Sequence, residues 1–177
     1  MKKELIYLIG QPGSGKSTVA AELFKRLPCG QKEEPFAHIV YPNAIQLGAQ
    51  RESFSGTDAL PMNVQPKVVP MMKDTDCQYF FGEGDRLANE KFFLAVAGAG
   101  IRLRVFFLRT SNATAAERRE KRGSKQDVTW LKGRITKVNN LWRTWGITPH
   151  TLNGEQEPEQ IVAKMKKLTS ISQMTRR

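Results

Sequence analysis

Gly10-Gln11-Pro12-Gly13-Ser14-Gly15-Lys16-Ser17 follows directly on the apolar run Leu5-Ile6-Tyr7-Leu8-Ile9, and this junction decides the fold. A short unbroken apolar run is what a parallel strand buried on both faces spells. The stretch after it fits the phosphate-binding pattern G-x-x-x-x-G-K-[ST]. Gly10, Gly13 and Gly15 are free to take positive φ and to bring backbone N–H groups and a helix N-terminus close to a polyphosphate. Lys16 is placed to reach β and γ phosphates, and the Ser17 hydroxyl to hold Mg²⁺. Ser14 and Thr18 complete the candidate cradle. Val19, Leu23 and Leu27 repeat at helical spacing, Ala20 and Phe24 widen the stripe, and Pro28-Cys29-Gly30 stops it. A glycine-rich turn that binds nothing would not demand this order of strand, loop and helix.

The chain has 177 residues, 40% hydrophobic and 25% charged, the composition of a soluble globular protein. It reads as a single domain over residues 1–177, large enough to bury a core without metal or disulfide support. No apolar run reaches the length of a bilayer span, and Met1-Lys2-Lys3 leads into a strand instead of a secretory leader. A cytoplasmic location is expected. Cys29 and Cys77 form no C-x-x-C pair and read as reduced thiols. Lys and Arg outnumber Asp and Glu by 28 to 17, a net charge of +11. Such an excess favours a polyanionic partner over a small metabolite. The alternative is an evenly spread solubilising surface, but the basic residues concentrate between Arg102 and Arg143 and again near the C-terminus.

Beyond the first helix, Gln31 to Pro35 is a polar loop and Ala37-His38-Ile39-Val40-Tyr41 a second strand, ended by Pro42-Asn43. His38 reads as a strand residue. Residues 44–72 have no long helical or strand period and carry Arg51-Glu52-Ser53-Phe54-Ser55-Gly56-Thr57-Asp58-Ala59-Leu60. Weakly periodic insertions of this length are functional or disordered. Arg51, Ser55 and Asp58 therefore become candidate substrate contacts. Cys77 to Phe81 is a third strand, and Gly82-Glu83-Gly84-Asp85-Arg86-Leu87 stands at its C-terminal end, where open parallel sheets bind ligands. Glu83 and Asp85 could meet Mg²⁺ or a reacting hydroxyl; alternatively Asp85 caps the helix expected to begin near Arg86. That helix ends at Gly98-Ala99-Gly100.

Ile101 to Leu108 makes a fourth strand and Gly146 to Leu152 a fifth; Glu159 to Leu168 closes the fold as a helix, and Thr169 to Arg177 is expected to fray. Strands and helices alternate, so the fold class is α/β: a five-stranded, mostly parallel sheet with helices on both faces. Between strands four and five, residues 110–145 carry Arg118, Arg119, Lys121 and Arg122 on one helix, then Lys125, Trp130, Lys132, Arg134, Lys137 and Arg143. In phosphoryl transfer an arginine-rich lid at this position would neutralise the transferring group, with Arg118 and Arg122 as its candidates. The alternative is an ordinary solvated helix face.

This order of parts resembles the P-loop kinases of nucleotides and nucleosides, a three-layer α/β fold. A closer resemblance lies in Arg51 to Leu60, Gly82 to Leu87 and Thr129-Trp130-Leu131-Lys132-Gly133-Arg134-Ile135-Thr136-Lys137, which look like the bacteriophage 5-hydroxymethyluracil DNA kinases. It spans most of the chain from Leu5 to about Trp145. It implies an enzyme that uses ATP and Mg²⁺ to phosphorylate the hydroxymethyl group of a modified pyrimidine in DNA, a step towards hypermodified thymidine that shields phage genomes from restriction. It also implies a host-cytoplasmic setting and candidate acceptor contacts at Arg51, Ser55, Asp58, Asp85, Arg86, Trp130, Lys132, Arg134 and Lys137.

The charge argument is independent of the resemblance, because a kinase acting on polymeric DNA must hold the backbone. Two rival readings remain: a kinase for a free nucleotide, nucleoside or other small hydroxyl compound, and a DNA-associated ATPase. A guanine-binding N-K-x-D motif is absent. Asp58 is expected as the general base and Glu83 in the magnesium shell, with the two roles exchangeable.

Overall fold

The strand β1 (Glu4–Ile9) is buried at every position, which is why its sequence is apolar without alternation. The structure is a computed structural model describing residues 2–51, 55–124, 127–144 and 149–175; of residues 142–144 only the backbone is described. After the phosphate-binding loop comes α1 (Lys16–Phe24), then β2 (Gly30–Lys32), β3 (His38–Val40), β4 (Ala44–Leu47), β5 (Ala49–Gln50) and β6 (Ser55–Gly56). A 3-10 turn at Thr57–Ala59 leads to α2 (Gln65–Asp74), β7 (Tyr79–Glu83), α3 (Glu90–Gly98) and β8 (Arg102–Arg109). The chain continues through α4 (Asn112–Lys121), α5 (Val128–Thr144), β9 (His150–Asn153), α6 (Pro158–Leu168) and α7 (Ile171–Met174).

The main sheet has the order β2-β3-β4-β7-β1-β8-β9. β4, β7, β1, β8 and β9 run parallel, while β2 and β3 are added antiparallel at one edge. Alternate residues of β1 point to opposite faces. Leu5, Tyr7 and Ile9 pack with Val68, Phe92, Phe93, Val96 and Val138, under α2, α3 and α5. Ile6 and Leu8 pack with Val19, Leu23, Ile161 and Met165, under α1 and α6. This is the expected three-layer arrangement, with all five parallel C-terminal strand ends on the phosphate-loop side.

The sheet differs from the five-stranded expectation in having seven strands among the described residues. Strand 37–41 is one of the antiparallel additions, and the parallel neighbour of β7 is β4, inside the segment that showed no period. β4 is only four residues and buried at all of them, too short for a pattern to emerge; its one polar side chain, Gln46, accepts from the Tyr41 hydroxyl at 3.1 Å. α2 lies in the same segment and carries Pro66 near its start and Pro70 inside. An interior proline removes a helical hydrogen bond and costs about 3 kcal/mol, so local sequence argues against a helix that burial of Val68 and Met72 nevertheless secures.

α3 starts at Glu90, later than expected, because Asn89 is the cap: its side chain accepts from Phe92 N at 2.9 Å. Asp85 caps nothing there. Nor does the C-terminal tail fray through Thr175, since α7 buries Ile171 and Met174 completely. The expected strand over 146–152 appears as β9, with residues 145–148 outside the described residues. Glu52, Ser53, Phe54, Lys125 and the Arg143 side chain also lie outside them.

Candidate active site

Gly13 and Gly15 adopt φ of 87° and 97°, a region closed to most side chains. Ser14 between them is fully buried and its Oγ has no protein partner. A buried hydroxyl without a partner, held in a concave turn of left-handed glycines at the start of α1, fits an anionic ligand with oxygen acceptors. Lys16 Nζ donates to Gly10 O at 2.9 Å and Gln11 O at 3.2 Å. Burial pushes its ammonium pKa down, against Glu83 and Asp58, which pull it up. Thr18 is exposed on α1.

Opposite Lys16 stands Glu83, the last residue of β7 and 2% exposed. Ser17 Oγ donates to Glu83 Oε1 at 3.0 Å, and Ser55 Oγ donates to Ser17 Oγ at 2.7 Å. Burial raises the Glu83 carboxyl to about 7, although Lys16 and the Ser17 hydroxyl oppose the shift. One carboxylate and one hydroxyl on adjacent elements form a hard-oxygen donor pair. Mg²⁺ commonly takes one or two protein oxygens and completes its shell with phosphates and water, so the residues present fit it.

Asp58, on the 3-10 turn, accepts from Asp85 N at 2.7 Å and Arg86 N at 3.0 Å through one oxygen, Oδ1. The turn is locked to β7 by a buried Tyr7 hydroxyl, 2.9 Å from Thr57 Oγ1 and donating to Gly84 O at 3.1 Å, while Thr57 Oγ1 donates to Glu83 O at 2.9 Å. Gly84 sits at φ 111°, and a Cβ there would come 2.8 Å from Thr57 Oγ1. Asp85 faces α5, where it pairs with Arg134 and with Lys137 Nζ at 3.0 Å. Arg134 in turn lies over the Trp130 ring, 5.0 Å from its centroid.

Several of these groups line one cavity of about 600 Å³. Its lining includes Gly10, Gly13, Lys16, Ser17 and Arg122, and also Arg51, Ser55, Asp58, Glu83, Asp85, Arg86, Trp130 and Arg134. Ser14, Gly15, Thr18, Lys132 and Lys137 are not in its lining. Nor is Arg118, whose Nη1 donates to Ser14 O at 3.1 Å and Gly154 O at 2.9 Å. Its reach is spent on backbone one helical turn before Arg122.

Sequence reasoning did not single out Tyr7 or Arg119. A tyrosine in a fully buried strand needs a partner for its hydroxyl, and that was the available signal. Arg119 gives no such signal, being one of four basic residues on one helix.

The P-loop Nucleotide Kinase3 family profile matches residues 1–170. Comparison with curated proteins finds no match. Among solved structures, the YorR protein of Bacillus subtilis in complex with phosphorylated GDP is similar at TM-score 0.59 and 15% identity, covering 98% of this chain and 99% of that one. A gluconokinase from Sinorhizobium meliloti 1021 aligns at TM-score 0.57 and 15% identity over 97% of this chain and 93% of that one. The deoxyadenosine kinase of M. mycoides with bound dATP gives TM-score 0.54 and 16% identity over 95% and 99%. At such identities the likeness concerns the fold alone. Among the described residues no helix is long and apolar enough to cross a membrane.

Proposed function

The chain belongs to the P-loop nucleotide kinase family and is a phosphotransferase, and from that premise we propose that it transfers the γ-phosphoryl group of ATP to the hydroxymethyl group of 5-hydroxymethyluracil in DNA. The observation that carries this reading is the shared cavity. Phosphate-loop residues line it together with an acidic residue, an aromatic ring and two arginines, Asp58, Trp130, Arg86 and Arg134. An aromatic face with cations suits a pyrimidine and its neighbouring backbone phosphates. The net charge of +11 supports a polyanion in the acceptor role.

In this reading Gly10, Gly13, Ser14, Gly15, Lys16, Ser17 and Thr18 hold the donor, with Lys16 turning from Gly10 O and Gln11 O to the β and γ phosphates. Ser17 and Glu83 would hold Mg²⁺, which when bound neutralises charge on the donor phosphates. Arg122 meets the transferring group, where positive charge acts mainly on the transition state. Arg51, Ser55, Asp85, Arg86, Trp130 and Arg134 orient the acceptor, and Lys137 supports it by holding Asp85. Lys132, exposed on α5, contacts DNA outside the cavity. As the acceptor oxygen bonds to the γ phosphorus and the bond from that phosphorus to the β–γ bridging oxygen breaks, the hydroxymethyl proton passes to Asp58 and ADP leaves. Asp58 is suited to this because two backbone amides fix its carboxylate at the cavity wall.

A second reading, a kinase for a free nucleotide, nucleoside or small hydroxyl compound, draws on the fold shared with a deoxyadenosine kinase and a gluconokinase. One experiment separates them: γ-labelled ATP is supplied with DNA containing 5-hydroxymethyluracil, with unmodified DNA, and with the free nucleotide. Label in the modified DNA alone supports the proposal. Label in the free nucleotide alone moves the acceptor to the second reading, and phosphate release without labelled acceptor makes the chain an ATPase.

A further inference from the structure

Four carbonyl oxygens of the phosphate loop each accept from a cationic side chain. Gly10 O and Gln11 O accept from Lys16, Pro12 O from Arg119 Nη1 at 2.6 Å, and Ser14 O from Arg118 at 3.1 Å. α4 supplies the last two and packs close against the loop. A Cβ on Gly13 would lie 2.4 Å from Ala115 O and 3.1 Å from Arg119 Cγ.

The bond to Pro12 O has a specific consequence. Ser14 N donates to Gln11 O at 3.0 Å, closing a turn whose central residues are Pro12 and Gly13, the latter at φ 87°. Proline followed by glycine at positive φ is the signature of a type II turn. Type I, the commonest turn, differs from it mainly by a flip of the central peptide plane, here Pro12 to Gly13. In a trans peptide the C=O and N–H point opposite ways. A carbonyl held on the α4 side therefore turns the Gly13 N–H to the other side, where the phosphates bind. Pro12-Gly13 favours the type II state, but glycine keeps the flipped state accessible at little cost, so a bond to Pro12 O adds to the preference.

We propose that Arg119 is a positioning residue: its bond to Pro12 O holds the Pro12–Gly13 peptide in the phosphate-binding orientation. Its role depends on nucleotide binding at the loop and not on the identity of the acceptor. A hydrogen bond that orients donor-binding groups serves ground and transition states alike, and its loss raises KM while leaving kcat.

The test measures ATP affinity by calorimetry and KM and kcat by ADP release. It compares the parent with Arg119→Met, which keeps a long unbranched side chain without a donor, Arg119→Lys, which keeps a donor, and Lys121→Ala, an exposed cation on the same helix. Expected for Arg119→Met are about tenfold weaker ATP binding and a matching rise in KM, with kcat and the melting temperature of the ligand-free protein near the parent's. Arg119→Lys should recover most of the affinity, and Lys121→Ala should match the parent. The proposal is overturned if Arg119→Met binds ATP within about threefold of the parent, if Lys121→Ala weakens binding equally, or if kcat falls with KM unchanged. Should Arg119→Met not fold, Arg119→Leu, which also lacks a donor, takes its place under the same outcomes. A parent that binds no ATP would overturn the functional reading instead, and the same titration reads that directly.

Discussion

The phosphate loop and the segment from Ala44 to Met72 face each other across one cavity, yet they are built by opposite means. The loop binds through backbone groups in a contiguous stretch, so glycine spacing and one lysine specify it. The facing segment is a set of short pieces, β4, β5, β6, the Thr57–Ala59 turn and α2, whose cavity-side side chains are fixed by partners far away in sequence. Ser55 is tied to Ser17, Thr57 to Tyr7 and Glu83, and Asp58 to the amides of Asp85 and Arg86. Backbone recognition leaves a local signature. Side-chain recognition assembled by tertiary contacts leaves residue types without a pattern.

If that division is right, damage to the loop should remove donor chemistry and leave the other side intact. Lys16→Ala is expected to lower phosphoryl transfer by about a thousandfold or more, the scale of losing a main charge on the transferring phosphates. Its melting temperature should stay at or above the parent's, because burial disfavours the Lys16 ammonium. A steady-state assay with a thermal melt checks both. Near-parental turnover would break the assignment of the loop as the donor site.

Glu83 belongs to both sides at once, and its titration sharpens the comparison. Its folded-state pKa of about 7 exceeds the ordinary carboxylate value of ~4.3. The folded state therefore binds this proton more tightly than the unfolded state does. The stability it contributes is complete below about pH 4 and is lost as pH rises towards 7, by on the order of 3 kcal/mol. Denaturant unfolding across that window in the presence of EDTA should show the decline, and Glu83→Gln should remove this part of it. With Mg²⁺ limiting, turnover should rise around pH 7, where the folded-state carboxylate ionises. A Glu83→Gln variant whose stability profile overlays the parent's would mean that another group governs it.

Much of the fold was legible because burial and local rules agreed there. β1, β7 and β8 are apolar runs inside a sheet, and α1 and α6 carry clear stripes. Legibility failed where two levels disagreed. α2 forms despite Pro70, β4 is four residues with a satisfied glutamine, and α7 is a single short turn that buries Ile171 and Met174. In the site, the carboxylates could be nominated from strand-tip position, but not their partners. That Asp85 would face Arg134 and Lys137 across the lid, or that Arg118 would turn to Ser14 O, depends on where α4 and α5 pack.

The acceptor side has its own prediction, next in size. Asp58→Asn keeps a side-chain oxygen able to accept from Asp85 N and Arg86 N, so the turn should persist while the proton acceptor is lost. A fall in kcat of about a hundredfold is expected, the usual scale for a general base, with ATP affinity unchanged. If Asp58→Asn turns over like the parent while Glu83→Gln is inactive at every Mg²⁺ concentration, the two carboxylates have exchanged roles.

The smallest expected effect probes the join between the regions. Tyr7 lies on the strand that feeds the phosphate loop, but its hydroxyl serves the acceptor side, lying against Thr57 and donating to Gly84 O. Its ring fits because residue 82 is glycine: a Cβ there would come 2.5 Å from Tyr7 Cε2. Tyr7→Phe keeps the ring and the packing with Phe92 and Phe93 and removes only the hydroxyl. Removing one partner from a buried hydrogen-bonded set costs about 1–2 kcal/mol, to be read as a lower denaturant midpoint. The loss loosens the turn that carries Asp58, so kcat should fall by roughly threefold to tenfold, the size of that energy if only part of it reaches the acceptor. ATP affinity should hold, since none of the phosphate-loop contacts involves this hydroxyl. A parallel loss of ATP affinity would show that the strand transmits strain between the two sides, and that the regions are supported as one unit.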